Sequence, residues 1–288
     1  MKERSYPIKM ETIKIGFVDF WPEIKDEDIF TPILKKHFNV EIDNRNPDVI
    51  FHSIFGGMQN SPRYKCKKIL FLGENHRPYK FNTNYSISFD LPSKTNFRLP
   101  LWQYFILLKP EYKEQLFNRP QYDNFDRFCS FVVSNQGNFI RNSFFMGLTG
   151  YKKVSSYGRY MRNSYELQKL SSGKYWRTAK DEFFKNYTHK FAITFENNAY
   201  PRYCTEKLMD GFLAGSVPIY WGDPKVNEEF NSNAFINTID INEIKKIDKN
   251  PFLFEKIYNE PVFTEKQKDK LLNNLGEFEE WLIKIIKK

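Results

Sequence analysis

The sequence predicts an α/β chain built on parallel sheets, and three observations predict it. Residues 191–222 read as a strand, a helix and a second strand, a span of about thirty residues that suits one crossover unit of a parallel sheet. Residues 12–89 alternate short β-prone apolar runs with helix-like segments. Polar side chains gather just past the apolar runs, where parallel sheets present their strand ends to ligands.

The elements follow in chain order. TIKIGFVDF (12–20) is an opening strand that delivers Asp19, Phe20 and Trp21 at its end. A helix is expected over 27–38 and a strand over 39–42. DVIFHS (48–53) reads as a buried strand running into Phe55-Gly56-Gly57, and 67–73 as another that ends at Glu74. Residues 85–89 (YSISF) add one more. A carboxylate after a strand and a glycine is well placed to serve as a general base, although by itself such a residue usually just faces water. Residues 110–126 are polar and without clear periodicity, so the domain crossing is placed there. This gives an N-terminal domain over 1–120, a C-terminal domain over 121–260 and a terminal helix over 261–288.

FCSFVVS (128–134) opens the second half, followed by a loop and an aromatic helix through Leu148. Arg141 stands near the start of that helix, and its planar fork suits phosphate oxygens. Residues 151–173, basic and rich in Tyr and Ser, read as a mobile loop containing a helix over 164–170. A helix over 176–187 leads to the strand 191–195 (FAITF). Thr205 can cap the next helix, Gly215 can end it, and 217–221 (VPIYW) is the returning strand. Between them lie Glu196, Asn197, Asn198, Tyr203, Thr205, Glu206 and Lys207. A lysine in the first helical turn opposes the helix dipole. An anion held between Lys207 and the helix amides would resolve that conflict; the other reading is a side chain bent into solvent. A last strand is expected at 234–237, a helix over 241–247, and a terminal helix over 265–288. That helix carries Trp281, Leu282, Ile285 and Ile286 on one face, for docking back on the protein or for loose adsorption to an anionic membrane.

Composition narrows the partners. The formal net charge is +9, and residues 126–190 hold twelve Lys/Arg against four Asp/Glu, which favours a local anion site over a diffusely basic shell. Three cysteines, far apart and without a C-x-x-C, argue against a disulfide framework or zinc site and suit a reducing cytoplasm. No apolar stretch is long enough to cross a bilayer. Asp26-Glu27-Asp28 matches a D-x-D metal pattern but sits at an expected helix start, where acids cap. Dinucleotide, Walker and nucleophile-elbow patterns are absent, and nothing resembles a nucleic-acid-binding module.

Three stretches together resemble the α1,3/4-fucosyltransferase family: LGENHRPYKFN, FVVSNQGNFIRNSFF and FENNAYPRYCTEKLMDGFLAGSVPIYWGDP, in the family's order between residues 67 and 237. The likeness is to its bacterial, soluble, Lewis-antigen-building members. The resemblance implies a GT-B fold, two Rossmann-like domains facing across a cleft. It also implies inverting transfer of L-fucose from GDP-fucose to an N-acetylglucosamine hydroxyl of a lactosamine-type glycan, α1,3-linked, with no metal required. By position, Glu74 matches the general base, and Arg141 and Lys207 match the cations on the diphosphate. Glu206 matches the carboxylate on the ribose, and Tyr203 and Asn197 match further donor contacts, with Glu196 and Thr205 counted among the donor-binding residues. Residues 199–202, AYPR, replace a more glycine-rich turn, which leaves the roles of Tyr200 and Arg202 open. Two other readings are an inverting transferase for a different nucleotide sugar and a non-enzymatic nucleic-acid binder. Cytoplasmic localisation, at the inner membrane face if the terminal helix adsorbs, completes the expectation.

Overall fold

The computed structural model describes residues 10–25 and 28–288, without the side chains of Glu23 and Lys25. The described residues divide into two compact units, those up to Leu99 together with Asn274–Lys288, and Pro100–Asn273. Each is a parallel α/β assembly.

The first unit holds β1 (Thr12–Val18), α1 (Phe30–Lys35), β2 (Asn39–Ile42), β3 (Val49–His52), β4 (Lys67–Phe71), β5 (Tyr85–Ser88) and β6 (Asn96–Arg98). All pairs are parallel, in the order β2-β1-β3-β4-β5-β6. The chain therefore moves to one side of β1 for β2 and to the other for β3, a topological switch between β1 and β3. All four residues of β3 are buried, as a strand covered on both faces must be. Phe30 of α1 stacks on Phe51 at 4.4 Å, and Trp21 meets the buried Phe71 edge-on at 6.0 Å. The expected helix 27–38 is shorter than its pattern suggested. Asp26 and Glu27 lie outside the described residues, and Asp28 accepts from the Thr31 amide at 2.5 Å, a capping contact.

The second unit holds α2 (Leu101–Leu108), α3 (Glu111–Phe117), β7 (Arg127–Phe131), α4 (Phe139–Thr149), β8 (Val154–Ser156), α5 (Glu166–Ser171), α6 (Trp176–Asn186), β9 (His189–Ile193), α7 (Glu206–Leu213), β10 (Val217–Tyr220), β11 (Ile236–Asn237), α8 (Ile241–Lys249) and α9 (Pro251–Tyr258). Its sheet runs β11-β10-β9-β7-β8, again all parallel, with the switch between β7 and β9. Its core is rich in aromatics: Phe131 stacks on Phe145 at 4.5 Å, and Phe144 meets Phe195 at 4.7 Å.

The crossing between units differs from the one read at 110–126. The second unit begins at Pro100, because α2 and α3 bury Trp102, Tyr104, Tyr112 and Leu116 within it. Trp102 packs on Phe230 at 4.7 Å and donates its indole N–H to Glu229 at 2.9 Å. The segment read as a mobile loop contains β8, whose three residues are buried; a strand that reads Val-Ser-Ser carries too few β-branched or aromatic residues to show in sequence. The helix α10 (Glu265–Lys287) begins in the second unit and ends in the first. Leu282, Ile285 and Ile286 are buried, Phe278 packs on Phe97 at 5.3 Å, and Lys67 donates to the carbonyls of Ile285 and Ile286. The apolar face offered for a membrane is thus occupied by the chain's own first unit.

Candidate active site

In doubly wound sheets ligands bind past the strand carboxyl ends at the switch point, where the flanking loops diverge. In the second unit that place is framed by the loops leaving β7 and β9. Asn138 caps α4, its side-chain oxygen accepting from the Arg141 amide at 2.9 Å. Its amide nitrogen donates across to the Glu196 and Asn197 carbonyls at 3.1 and 2.9 Å. One asparagine thus ties the two loops together.

Arg141 projects from the first turn of α4 and is only 1% exposed. Its guanidinium donates to the Asn197 side-chain oxygen at 2.8 Å and to the Asn135 carbonyl at 2.6 Å, while its Nε finds no partner among the described residues. Every one of these contacts is neutral. Burial pulls its pKa down from the ordinary value against the charge of Glu196 and the phenols of Tyr203 and Tyr160, yet an arginine stays charged at neutral pH. A buried cation with no carboxylate in contact is costly unless an anion completes the site.

Lys207 behaves differently. Its ammonium lies 3.3 Å from Glu196, 3.8 Å from Glu206 and 2.9 Å from the Thr205 hydroxyl. The conflict with the helix dipole is thereby answered by two carboxylates of the protein itself, a resolution that neither sequence reading foresaw. Glu196 is fully buried and accepts from the Thr205 amide and hydroxyl, each at 2.7 Å. Burial pushes its carboxyl pKa up, opposed by Lys207 and Thr205. Thr205 holds the N-cap position of α7 as expected, but its side chain makes no capping bond because Glu196 has claimed it. Glu206 is more open. Desolvation would raise its carboxyl, but Lys207, Lys180, its own amide and Arg177 outweigh that and hold it at about 2.

Backbone geometry sets these groups in place. Gly215 (φ +64°) ends α7, its amide bonded to the Phe212 carbonyl and that of Ser216 to the Gly211 carbonyl, the paired closure that favours glycine. Gly222, just past β10, lies against the Glu196 side chain with no room for a Cβ. In the segment that replaces the glycine-rich turn, Arg202 has φ +69°, accepts this left-handed conformation, and is tied to Asp223 and Glu228. Tyr203 is buried close to Arg141, and Tyr200 is 38% exposed.

The structure therefore brings Arg141, Glu196, Asn197, Tyr203, Thr205, Glu206 and Lys207 together at one switch point. Glu74 belongs to the first unit, two residues past the buried Leu72 that follows β4. Its turn is braced by Arg77, which reaches Asp90 at 2.5 Å, bonds Asn75 and stacks on Phe89 at 4.4 Å. The sequence reading missed Asn138, which an asparagine three residues before a helical arginine could have signalled. It also missed Asp210 of α7, held by Arg177 and Lys180 of α6; no local pattern announces that pairing.

Comparison with known proteins bears on this arrangement. Residues 15–105 match the α-(1,3)-fucosyltransferase FucT N-terminal domain, and residues 124–255 match the C-terminal part of glycosyltransferase family 10, the fucosyltransferases. The chain is 29% identical to the α-(1,3)-fucosyltransferase FucT of Helicobacter pylori over 92% of its own length and 63% of that protein. It is 32% identical to the putative fucosyltransferase R654 of Acanthamoeba polyphaga mimivirus over 52% of the chain and 26% of the viral protein. The chain thus spans less than two thirds of the length of both relatives. A crystal structure of an α1,3-fucosyltransferase with GDP-fucose superposes with a TM-score of 0.68 at 23% identity, covering 97% of this chain and 94% of that one. That likeness shows the fold, two Rossmann-like units of the GT-B class. With both halves matched by fucosyltransferase domains, the chain belongs to the fucosyltransferases of glycosyltransferase family 10.

Proposed function

We propose that the chain transfers L-fucose from GDP-fucose to an N-acetylglucosamine hydroxyl of a lactosamine-type glycan, forming an α1,3 linkage with inversion. Arg141 carries this reading: a buried guanidinium with neutral contacts only, at the switch point of the C-terminal sheet, is a preformed receptor for a diphosphate. The H. pylori relative is named an α-(1,3)-fucosyltransferase, and the superposed crystal structure holds GDP-fucose.

In this reading Arg141 and Lys207 stabilise the negative charge that grows on GDP as the glycosidic bond breaks. Charge stabilisation by such preorganised groups is worth about 3 kcal/mol, or on the order of a hundredfold, per contact. Glu206, ionised at neutral pH, accepts from the ribose hydroxyls. Asn197 and Tyr203 complete the donor contacts, while Glu196 and Thr205 act from beneath by holding Lys207. Glu74 removes the proton of the attacking hydroxyl, and the sugar passes through an oxocarbenium-like state. The resemblance implies that no metal is required, and transfer should then persist in excess chelator. A reducing cytoplasm suits the three free cysteines, a placement that cell fractionation tests.

The deciding experiment offers GDP-fucose with type 1 and type 2 lactosamine disaccharides and identifies the linkage formed. Glu74→Ala should abolish transfer while GDP still binds in calorimetry. Near-normal turnover by that variant removes Glu74 from the base role, and tighter binding of UDP than of GDP ends the fucose assignment.

A further inference from the structure

Asn138 takes no part in the proposed chemistry, yet every polar atom of its side chain is engaged at the switch point of the second unit. The residue is 7% exposed. Its side-chain oxygen accepts from the Arg141 amide at 2.9 Å, and its side-chain nitrogen donates to the Glu196 and Asn197 carbonyls at 3.1 and 2.9 Å. These partners fix the orientation of the group, since its oxygen faces a donor and its nitrogen faces two acceptors.

Each of the two loops that it joins has bracing of its own. After β7, the Asn135 side chain accepts from the Gly137 amide and Asn142 donates to the Gln136 carbonyl, each at 2.7 Å. After β9, the Glu196 amide donates to the Trp221 carbonyl at 2.8 Å, and the Tyr203 amide to the Tyr200 carbonyl at 3.0 Å. Arg141 and Asn197 meet across the two loops at 2.8 Å. Asn138 holds both ends of that contact, the Arg141 amide by capping α4 and the Asn197 carbonyl by donation. Capping alone needs only the oxygen, which a serine would supply. Asn250 shows such a plain cap: it is exposed and accepts from the Leu253 amide of α9 at 3.2 Å.

We infer that Asn138 is a positioning residue of the donor site: it sets Asn197 against the Arg141 guanidinium, so that a diphosphate meets a preformed pair and not two loops that shift separately. This rests on the proposed transfer reaction. Preorganised groups count most where charge develops, in the transition state, so loosening them falls on turnover more than on ground-state binding.

The test separates the cap from the cross-link. Asn138→Ser keeps a capping oxygen and loses the amide donor, whereas Asn138→Ala loses both. Both should lower kcat with GDP-fucose by on the order of tenfold, while calorimetry keeps GDP affinity within about twofold of the parent. Asn250→Ser, which alters the plain cap, should leave kcat as it was. The positioning itself is read in the nitrogen-labelled chain, with and without GDP. The Asn197 side-chain amide and the Arg141 Nε–H should give sharp resonances in the parent and broadened ones in Asn138→Ser. Parent-like kcat in Asn138→Ser, an equal fall in Asn250→Ser, a loss of GDP affinity as large as that of kcat, or unmoved resonances would each overturn the role. A parent chain that turns over no GDP-fucose, yet shows the broadening in Asn138→Ser, would instead end the transfer reading and leave Asn138 as the residue that sets Arg141.

Discussion

Two crossovers of one sheet carry a cation each, and they treat it in opposite ways. Arg141, after β7, is buried and touches only amides and carbonyls; Lys207, after β9, is partly exposed and pinned by two glutamates. The first cation keeps its charge uncompensated by any contacting carboxylate, and the second is largely neutralised where it stands. The lesson is that two cations carried past the strand ends of one sheet need not do equal work. Arg141 supplies the standing positive potential, whereas Lys207 also holds the α7 end of the site together.

The largest expected effect lies on the Arg141 side. Arg141→Ala should lower kcat/KM for transfer by on the order of a hundredfold or more, and Arg141→Lys should recover little, because an ammonium cannot span Asn197 and Asn135 together. Steady-state kinetics and GDP calorimetry read this out, and equal activity in the lysine variant would erase the contrast.

Next comes the carboxylate beside Lys207. Glu206 sits at about 2 in the folded chain, below its unfolded value of about 4.3. Its contribution is therefore fully present above the unfolded value and is lost as pH falls toward 2. Glu206→Gln should cost about 2–3 kcal/mol of unfolding free energy near pH 6, by the linkage relation. That gap should close progressively below about pH 4.3 in denaturant titrations. A gap that ignores pH would remove Lys207, Lys180 and Arg177 as its cause.

The smallest effect sharpens the Lys207 side. Lys207→Met strands the buried Glu196 carboxylate, and adding Glu196→Gln should restore part of the loss. The double-mutant cycle should give a coupling of about 1–2 kcal/mol. Additive losses would mean that the pair is incidental.

Legibility followed the range of the interaction. The start of a strand at 39–42 was readable, and β10 and α10 nearly to the residue, because period, turn residues and glycine punctuation are local signals. The strand read at 191–195 proved to be β9 two residues earlier, since His189 pairs with Arg127 in the ladder with β7, a contact that hydrophobic pattern does not show. Residues 110–126 looked like a linker because α3 earns its place through Tyr112 and Leu116 packing in the second unit, which no window of sequence displays. Asn138 was passed over for the same reason: its cap is local, but its bonds to Glu196 and Asn197 span 58 and 59 residues.

The amino-acid order alone determined which residue types stand at each strand end, and with them the family likeness and the cluster from Glu196 to Lys207. Local propensity and short-range spacing suffice for that. Only the tertiary structure decided that Arg141 is enclosed by neutral groups, that Glu196 is claimed by Thr205 and Lys207, and that Asn138 joins two loops across a switch point. Burial and partner choice depend on strands brought together from distant parts of the chain, so the same side chain can be a solvated ion or a poised one.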